Sequence, residues 1–381
     1  MKQIFLNARI FTAEGKVIGN GFLECENGKI IDLGEMPSTG LDLKGKEVVN
    51  VNGNNLYPGF IDAHCHIGML EDALDFEGDD LNESTDPITP NLRGIDGLNP
   101  QDRCFTEALS AGITAACTGP GSANPIGGQM AVISLYGECA DDMVIKSPAA
   151  VKCALGENPK RVYSERKQMP MTRMGNAALI RTQLEKAKRY MEKENPDYDE
   201  KCESLIPVLK GEIPLHCHAH RLDDIFTAIR IAKEFGVKLV LVHATEGYLA
   251  AERLKKENVP MIQGPVLGDR CKPELKNADL KAMGILEKAG IYPALCTDHT
   301  VIPIQYLPIC AGLCVREGLS ENSALEAVTI RAAEILRVED KIGSLKIGKN
   351  ADFCIYEGSA FALNGICKET YIGGKLVYYK K

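Results

Sequence analysis

Short apolar, strand-like runs alternate with helical stretches through the middle of this chain, and that alternation constrains the fold most strongly. The runs are Phe60-Ile61-Asp62, Ile113 to Cys117, Val151 to Leu155, Pro214 to His218, Leu239 to His243, Pro260 to Gln263 and Tyr292 to Cys296. Helical patterns fall between them near Pro100 to Ala111, Asp223 to Phe235, Gly247 to Glu257 and Asn277 to Ala289. Such alternation predicts a parallel sheet, and roughly 290 residues of it suit an eight-stranded (β/α)8 TIM-like barrel, with a doubly wound sheet as the alternative. The glycine-rich stretch Gly119 to Gln129 lacks the Gly-Lys-Ser/Thr ending of a phosphate loop, and no dinucleotide fingerprint is present. It reads as a tight loop after the second strand, and no nucleotide cofactor is expected.

The two ends have a different texture. Residues 1–57 alternate β-like runs with turns at Ala13 to Lys16 and Glu26-Asn27-Gly28-Lys29, and an Asn-Gly pair between apolar runs is a hairpin signal. Residues 343–381 read similarly through Gly343 to Gly348, Ala351 to Tyr356 and Tyr371 to Tyr378. Chain ends commonly lie close together, so these segments are expected to build one small composite β-sandwich beside a barrel spanning 58–342.

Composition narrows the function classes. With 44 basic and 52 acidic residues the net charge is −8, and no basic block is present to neutralise phosphates or an anionic membrane. No apolar run reaches the roughly 18 residues of a spanning helix, and the start carries Lys2, Asn7 and Arg9 where a signal peptide is apolar. A cytoplasmic protein without nucleic-acid or membrane partners is expected. Of the fourteen cysteines, Cys117, Cys153, Cys217 and Cys296 sit inside apolar runs, as reduced thiols serving as small hydrophobes do.

The seven histidines lie at 64, 66, 216, 218, 220, 243 and 299, each at or just past the end of an apolar run. In a parallel barrel those ends form the face where chemistry is assembled. The two-residue period of a strand points His64 and His66 to one side, as chelation requires, and does the same for His216, His218 and His220. Singly, each could be a satisfied core histidine, but spacing groups them. From 218 to 243 is 25 positions, about one barrel unit of roughly 31, and from 243 to 298 is 55, about two.

That order resembles the amidohydrolase superfamily of metal-dependent hydrolases, within it the imidazolonepropionase-like and prolidase-like branch. The resemblance implies metal ligands at His64 and His66 on strand one, His218 and His243 on strands five and six, and Asp298 on strand eight. It also covers the terminal β segments, with the Gly-Ser-Leu-x-x-Gly-Lys-x-Ala-Asp run ending at Asp352. It implies one or two divalent ions per chain, zinc first and iron, manganese or nickel also suited, since nitrogen and oxygen donors discriminate weakly. Asp298 would handle the proton of the attacking water. A bridging anion would come from Glu157, the favoured residue, or from a carboxylated Lys152. The two differ by five positions and point to opposite faces of a regular strand, so only one can serve. His220, His299 and Arg173 are candidate substrate contacts. The acidic segment Glu71, Asp72, Asp75, Glu77, Asp79, Asp80, Glu83 and Asp86 reads as a solvated loop or as a wall for a cationic group. The expected activity is hydrolysis of a C–N bond in a small polar substrate by a homo-oligomer. A mononuclear deaminase and a non-catalytic scaffold are the alternatives.

Overall fold

The structure, a computed structural model, describes residues 2–71 and 74–380. The chain opens with β1 (Lys2–Phe11), β2 (Val17–Glu26), β3 (Lys29–Glu35), β4 (Glu47–Asn50) and β5 (Asn55–Pro58), and then enters the barrel. The barrel strands are β6 (Phe60–Asp62), β7 (Ile113–Thr118), β8 (Ile126–Ser134), β9 (Val144–Ala154), β10 (Leu215–Ala219), β11 (Leu239–His243), β12 (Met261–Gln263) and β13 (Ala294–Leu295). The chain returns to the first sheet with β14 (Phe353–Glu357), β15 (Ile366–Ile372) and β16 (Lys375–Tyr379).

Both termini therefore share one sheet, ordered β16-β15-β14-β5-β1-β2-β3 with β4 also on β1. Strand β14 runs antiparallel to β5, which ties the C-terminal segment to the N-terminal one. Phe5, Phe353 and Tyr371 pack ring on ring at 4.7 to 4.9 Å in its core. Asn27 and Gly28 turn β2 into β3 with φ of 51° and 80°, the left-handed pair that an Asn-Gly hairpin requires. Residues 343–348 are turns where sequence patterning suggests a strand. Their amides bond outward instead, Leu345 N to the Thr12 carbonyl and Gly348 N to that of Ile30.

Asp352 sits at this junction, its Oδ1 accepting the Gly373 amide at 2.7 Å. Burial pushes its carboxyl up to about 6, against the opposing pull of that amide. The folded state then holds a proton that the unfolded chain releases near pH 4, so stability is lost as pH rises through about 6. Asp352→Asn keeps an acceptor for Gly373 and cannot ionise. Its melting temperature is expected to fall less than that of the parent between pH 4 and 7, and superimposable pH profiles would contradict this.

Strands β6 to β13 form one eight-stranded sheet in sequence order. Hydrogen bonds from Ala63 N to the Leu295 carbonyl (3.4 Å) and from Asp298 N to the His64 carbonyl (3.2 Å) draw its two edges together. This is a barrel and not an open doubly wound sheet. One strand departs from the expected pattern: β8 is antiparallel to both β7 and β9. Only residues 119–125 join β7 to β8, far too few for the crossover that a parallel neighbour needs. The expected loop over Gly119 to Gln129 is thus a loop only to Pro125.

Alternation in β9 to β11 separates core from helix contacts. Val151, Cys153, Leu215, Cys217, Leu239 and Leu241 pack outward with Ile225, Ala228 and Ile229 of the helix Leu222–Phe235. That helix stops at Gly236, whose φ of 67° is the usual left-handed terminus. Ala150, Val240, Val242 and Ile262 face inward. Buried Cys117, Cys153, Cys217 and Cys296 are free, as are the other ten cysteines. Among the described residues, no helix is long and apolar enough to cross a membrane.

Candidate metal centre

Two groups of buried donors meet at the C-terminal ends of the barrel strands. The first comprises His64 and His66, just past β6, and Asp298, just past β13. Asp298 Oδ1 lies 3.2 Å from His66 Nε2 and 3.7 Å from His64 Nε2. The second comprises His218, His220 and His243, whose ring centroids are 4.6 Å apart in every pair. Asp298 Oδ2 is 4.0 Å from His243 Nε2, so one carboxylate stands between the groups. Within each group the donor atoms lie within 4.8 Å of one another.

Backbone carbonyls fix two of the rings and a threonine hydroxyl a third. His66 Nδ1–H donates to the Gly119 carbonyl at 2.8 Å and His243 Nδ1–H to that of Gly264 at 2.7 Å, while His220 Nδ1 bonds Thr245 Oγ1 at 2.7 Å. Such bonds set the tautomer and leave Nε2 for the centre. The backbone is strained at the same places, with φ of 71° at His243, 43° at Ala244 and 54° at Asp298. Left-handed non-glycine residues cost about 1–3 kcal/mol each and cluster at functional sites. His243 owes its inward position to this turn, since strand alternation alone would send it toward the helices with Leu239 and Leu241.

Burial dominates the electrostatics. It pushes His243 down to about 4 and, with Lys152 beside it, holds His64 well below the ordinary imidazole range. Neutral imidazoles are the form that binds a cation. Burial alone would raise the Asp298 carboxyl, but His243, His66 and Lys152 outweigh it and keep it far below the usual carboxylate range. The residues fit a divalent ion: neutral nitrogens and an ionised oxygen converge, and His218 Nε2 is buried without a hydrogen-bond partner.

The remaining sequence candidates separate clearly. Lys152 is fully buried on β9, its Nζ 2.7 Å from His64 Nε2. Glu157, favoured over it by sequence reasoning, opens the helix Glu157–Glu165, and its amide donates to Glu274 Oε2 at 3.1 Å. The strand stays regular through Ala154, so parity sends Lys152 inward, and Gly156, with φ of 87°, then turns the chain away before Glu157. His220, expected at the substrate, belongs to the second donor group. Arg173 begins the helix Arg173–Met191 and its Nε is bound by Asp224 Oδ2 at 2.9 Å, so the fork expected to grip a substrate carboxylate is already engaged. His299 is buried beside Asp298, with Nδ1 accepting the Ile304 amide at 3.2 Å. In the acidic segment, Asp86 pairs with Lys201 and Glu83 caps Thr85; Asp72 lies outside the described residues.

Sequence reasoning passed over three residues. Glu274 is buried in the loop after β12, with Oε1 3.6 Å from His218 Nε2 and 2.9 Å from Lys272 Nζ. Lys-Pro-Glu in a loop carries no periodicity that could have flagged either residue. Asp62 is fully buried and accepts the amides of His64 and Thr297 together with the Thr297 hydroxyl, joining the first barrel strand to the last. Its place at the end of β6, two residues before His64, was a usable signal.

The profile of the amidohydrolase family matches residues 182–377. A crystal structure of an amidohydrolase from Thermotoga maritima MSB8 superimposes with a TM-score of 0.95 at 41% identity, over 99% of this chain and 100% of that one. An imidazolonepropionase from Shewanella sp. (strain W3-18-1) is 24% identical over 99% of both chains. The amidohydrolase tasK of Hapsidospora irregularis is 27% identical over 86% of this chain, which spans only 37% of that longer protein.

Proposed function

The chain belongs to the amidohydrolase family, and on that premise we propose that it hydrolyses a C–N bond, amide, cyclic amide or peptide-like, in a small polar substrate. The observation that carries this reading is the Asp298 carboxylate standing between two groups of buried imidazoles, 3.2 Å from His66 Nε2 and 4.0 Å from His243 Nε2. His64, His66 and Asp298 on one side and His218 and His243 on the other would hold one or two divalent ions, which would supply Lewis acidity and a more acidic bound water near neutral pH. Asp298 takes the proton of the attacking water and returns it to the departing nitrogen. His299, adjacent to Asp298, donates to the oxygen on which charge develops. Lys152, with Nζ 2.7 Å from His64 Nε2, would take the bridging role in preference to Glu157: its neutral amine would add to carbon dioxide and release a proton, giving an anionic carbamate.

Zinc is the favoured ion, with up to two per chain. The domain limits 1–57, 58–342 and 343–381, a cytoplasmic location and a homo-oligomeric state complete the proposal. The name of the Shewanella relative, an imidazolonepropionase, makes a cyclic amide the first substrate class to try.

Chelator-stripped protein is expected to lose activity on a panel of lactams, cyclic ureas and dipeptides, and to regain it with Zn²⁺. Release of ammonia by protein holding one ion per chain would instead select a deaminase. No turnover of any panel member by metal-replete protein would sink the hydrolase reading.

A further inference from the structure

Glu274 reaches the second donor group from the long loop after β12, far in sequence from the histidines it meets. Its side chain is buried, with Oε1 3.6 Å from His218 Nε2 and 3.7 Å from His220 Nε2. His218 Nε2 has no hydrogen-bond partner, and the charge partner of Oε1 is Lys272 Nζ at 2.9 Å. We infer that Glu274 is a ligand of a second metal position completed by His218, His220 and His243. The inference rests on the hydrolase reading above and deepens it.

Glu274 would add a carboxylate to a group that otherwise offers only imidazoles, and it lies nearest His218 and His220. Donors held about 2.0–2.1 Å from one zinc ion stand about 3.4 Å from each other, close to the 3.6 and 3.7 Å that separate Oε1 from His218 and His220 Nε2. The carboxylate is aimed by its other oxygen, since Oε2 accepts the Glu157 amide at 3.1 Å. Space is kept for it by Gly156, where a Cβ would come within 2.6 Å of Oε2. Burial opposes ionisation of Glu274, but His220 and Lys272 outweigh it and keep the group a carboxylate. Lys272 Nζ stands 2.9 Å from Oε1 as a charge contact and also reaches Asn158 Oδ1 at 3.3 Å. An ion at the second position takes over the neutralisation of Glu274 and leaves Lys272 to Asn158 and solvent.

The rival role for Glu274 is that of a buried counter-ion to Lys272, and metal content separates the two. Full-length protein and the variants Glu274→Gln, Lys272→Met and His66→Asn are equilibrated with buffered Zn²⁺ and analysed for zinc per chain. The parent is expected to hold two ions and Lys272→Met two. Glu274→Gln is expected to hold one, its second-ion affinity reduced by more than about 100-fold, beyond the roughly 10- to 100-fold typical of residues outside the ligand set. His66→Asn should lose the other ion. Two ions in Glu274→Gln at affinity within about threefold of the parent, or equal loss in Glu274→Gln and Lys272→Met, would overturn the assignment while leaving the hydrolase reading intact. A parent with one ion insensitive to Glu274→Gln would do the same. A parent that binds no ion would remove both. If Glu274→Gln does not fold, Glu274→Asp keeps the charge but withdraws it by one methylene; second-ion affinity should then fall about tenfold, and unchanged affinity refutes the proposal.

Discussion

Asp298→Asn is expected to lower kcat/KM by about 10⁴-fold while the barrel stays folded. The carboxylate is the group that both donor clusters face, 3.2 Å from His66 Nε2 and 4.0 Å from His243 Nε2. Asparagine keeps its shape, and its backbone hydrogen bond to the His64 carbonyl does not depend on the side chain. What it removes is the negative charge and the ability to take a proton, which general-base catalysis needs in one group. The measurement is kcat/KM on the best panel substrate, normalised to bound metal, with the melting temperature as a fold control. A loss below about tenfold at full metal content would take the proton-transfer role away from Asp298.

Lys152→Met is expected to act in opposite directions on activity and stability. Lys152 is fully buried, and burial pushes its ammonium down from the ordinary lysine range. Its close neighbour is the His64 imidazole at 2.7 Å, a poor partner for a cation. Burial costs this charge more than the attraction of Asp298 returns, so a methionine of similar length should stabilise the metal-free protein by about 1–4 kcal/mol. Activity should fall by about 10²- to 10⁴-fold through loss of the bridge and of the ion it holds. A residue retained against stability is one kept for chemistry. Thermal unfolding of metal-free protein and turnover of the zinc-loaded form check the two halves. A destabilised but active variant would make Lys152 a packing residue, and Glu157→Ala, expected to retain its metal, serves as the paired control.

Much of the site is legible in the chain because strands have a fixed period and barrels a near-fixed unit length. His64 and His66 share a face by alternation, spacing puts His218, His243 and Asp298 one and then two barrel units apart, and the family resemblance numbers those strands five, six and eight; the structure has them at the ends of β10, β11 and β13. The β2–β3 hairpin follows from its turn residues, Asn27-Gly28. Alternation and turns depend on local geometry, and spacing on the near-constant length of a barrel unit.

What the tertiary structure decided depends on contacts between distant segments. The end of β9 leaves Lys152 Nζ 2.7 Å from His64 Nε2, and the left-handed step at Gly156 makes room for a carboxylate 118 positions further on. His220 joined His218 because Thr245, beyond the next strand, anchors its ring. The antiparallel β8 arose because a seven-residue connection cannot cross the barrel. Glu274 sits in a loop without periodicity, and only closure of that loop over the barrel mouth brings it to two imidazoles. Period and spacing are properties of neighbours along the chain, whereas loop placement is set by long-range packing, and that difference divides what the sequence determined from what the fold alone could decide.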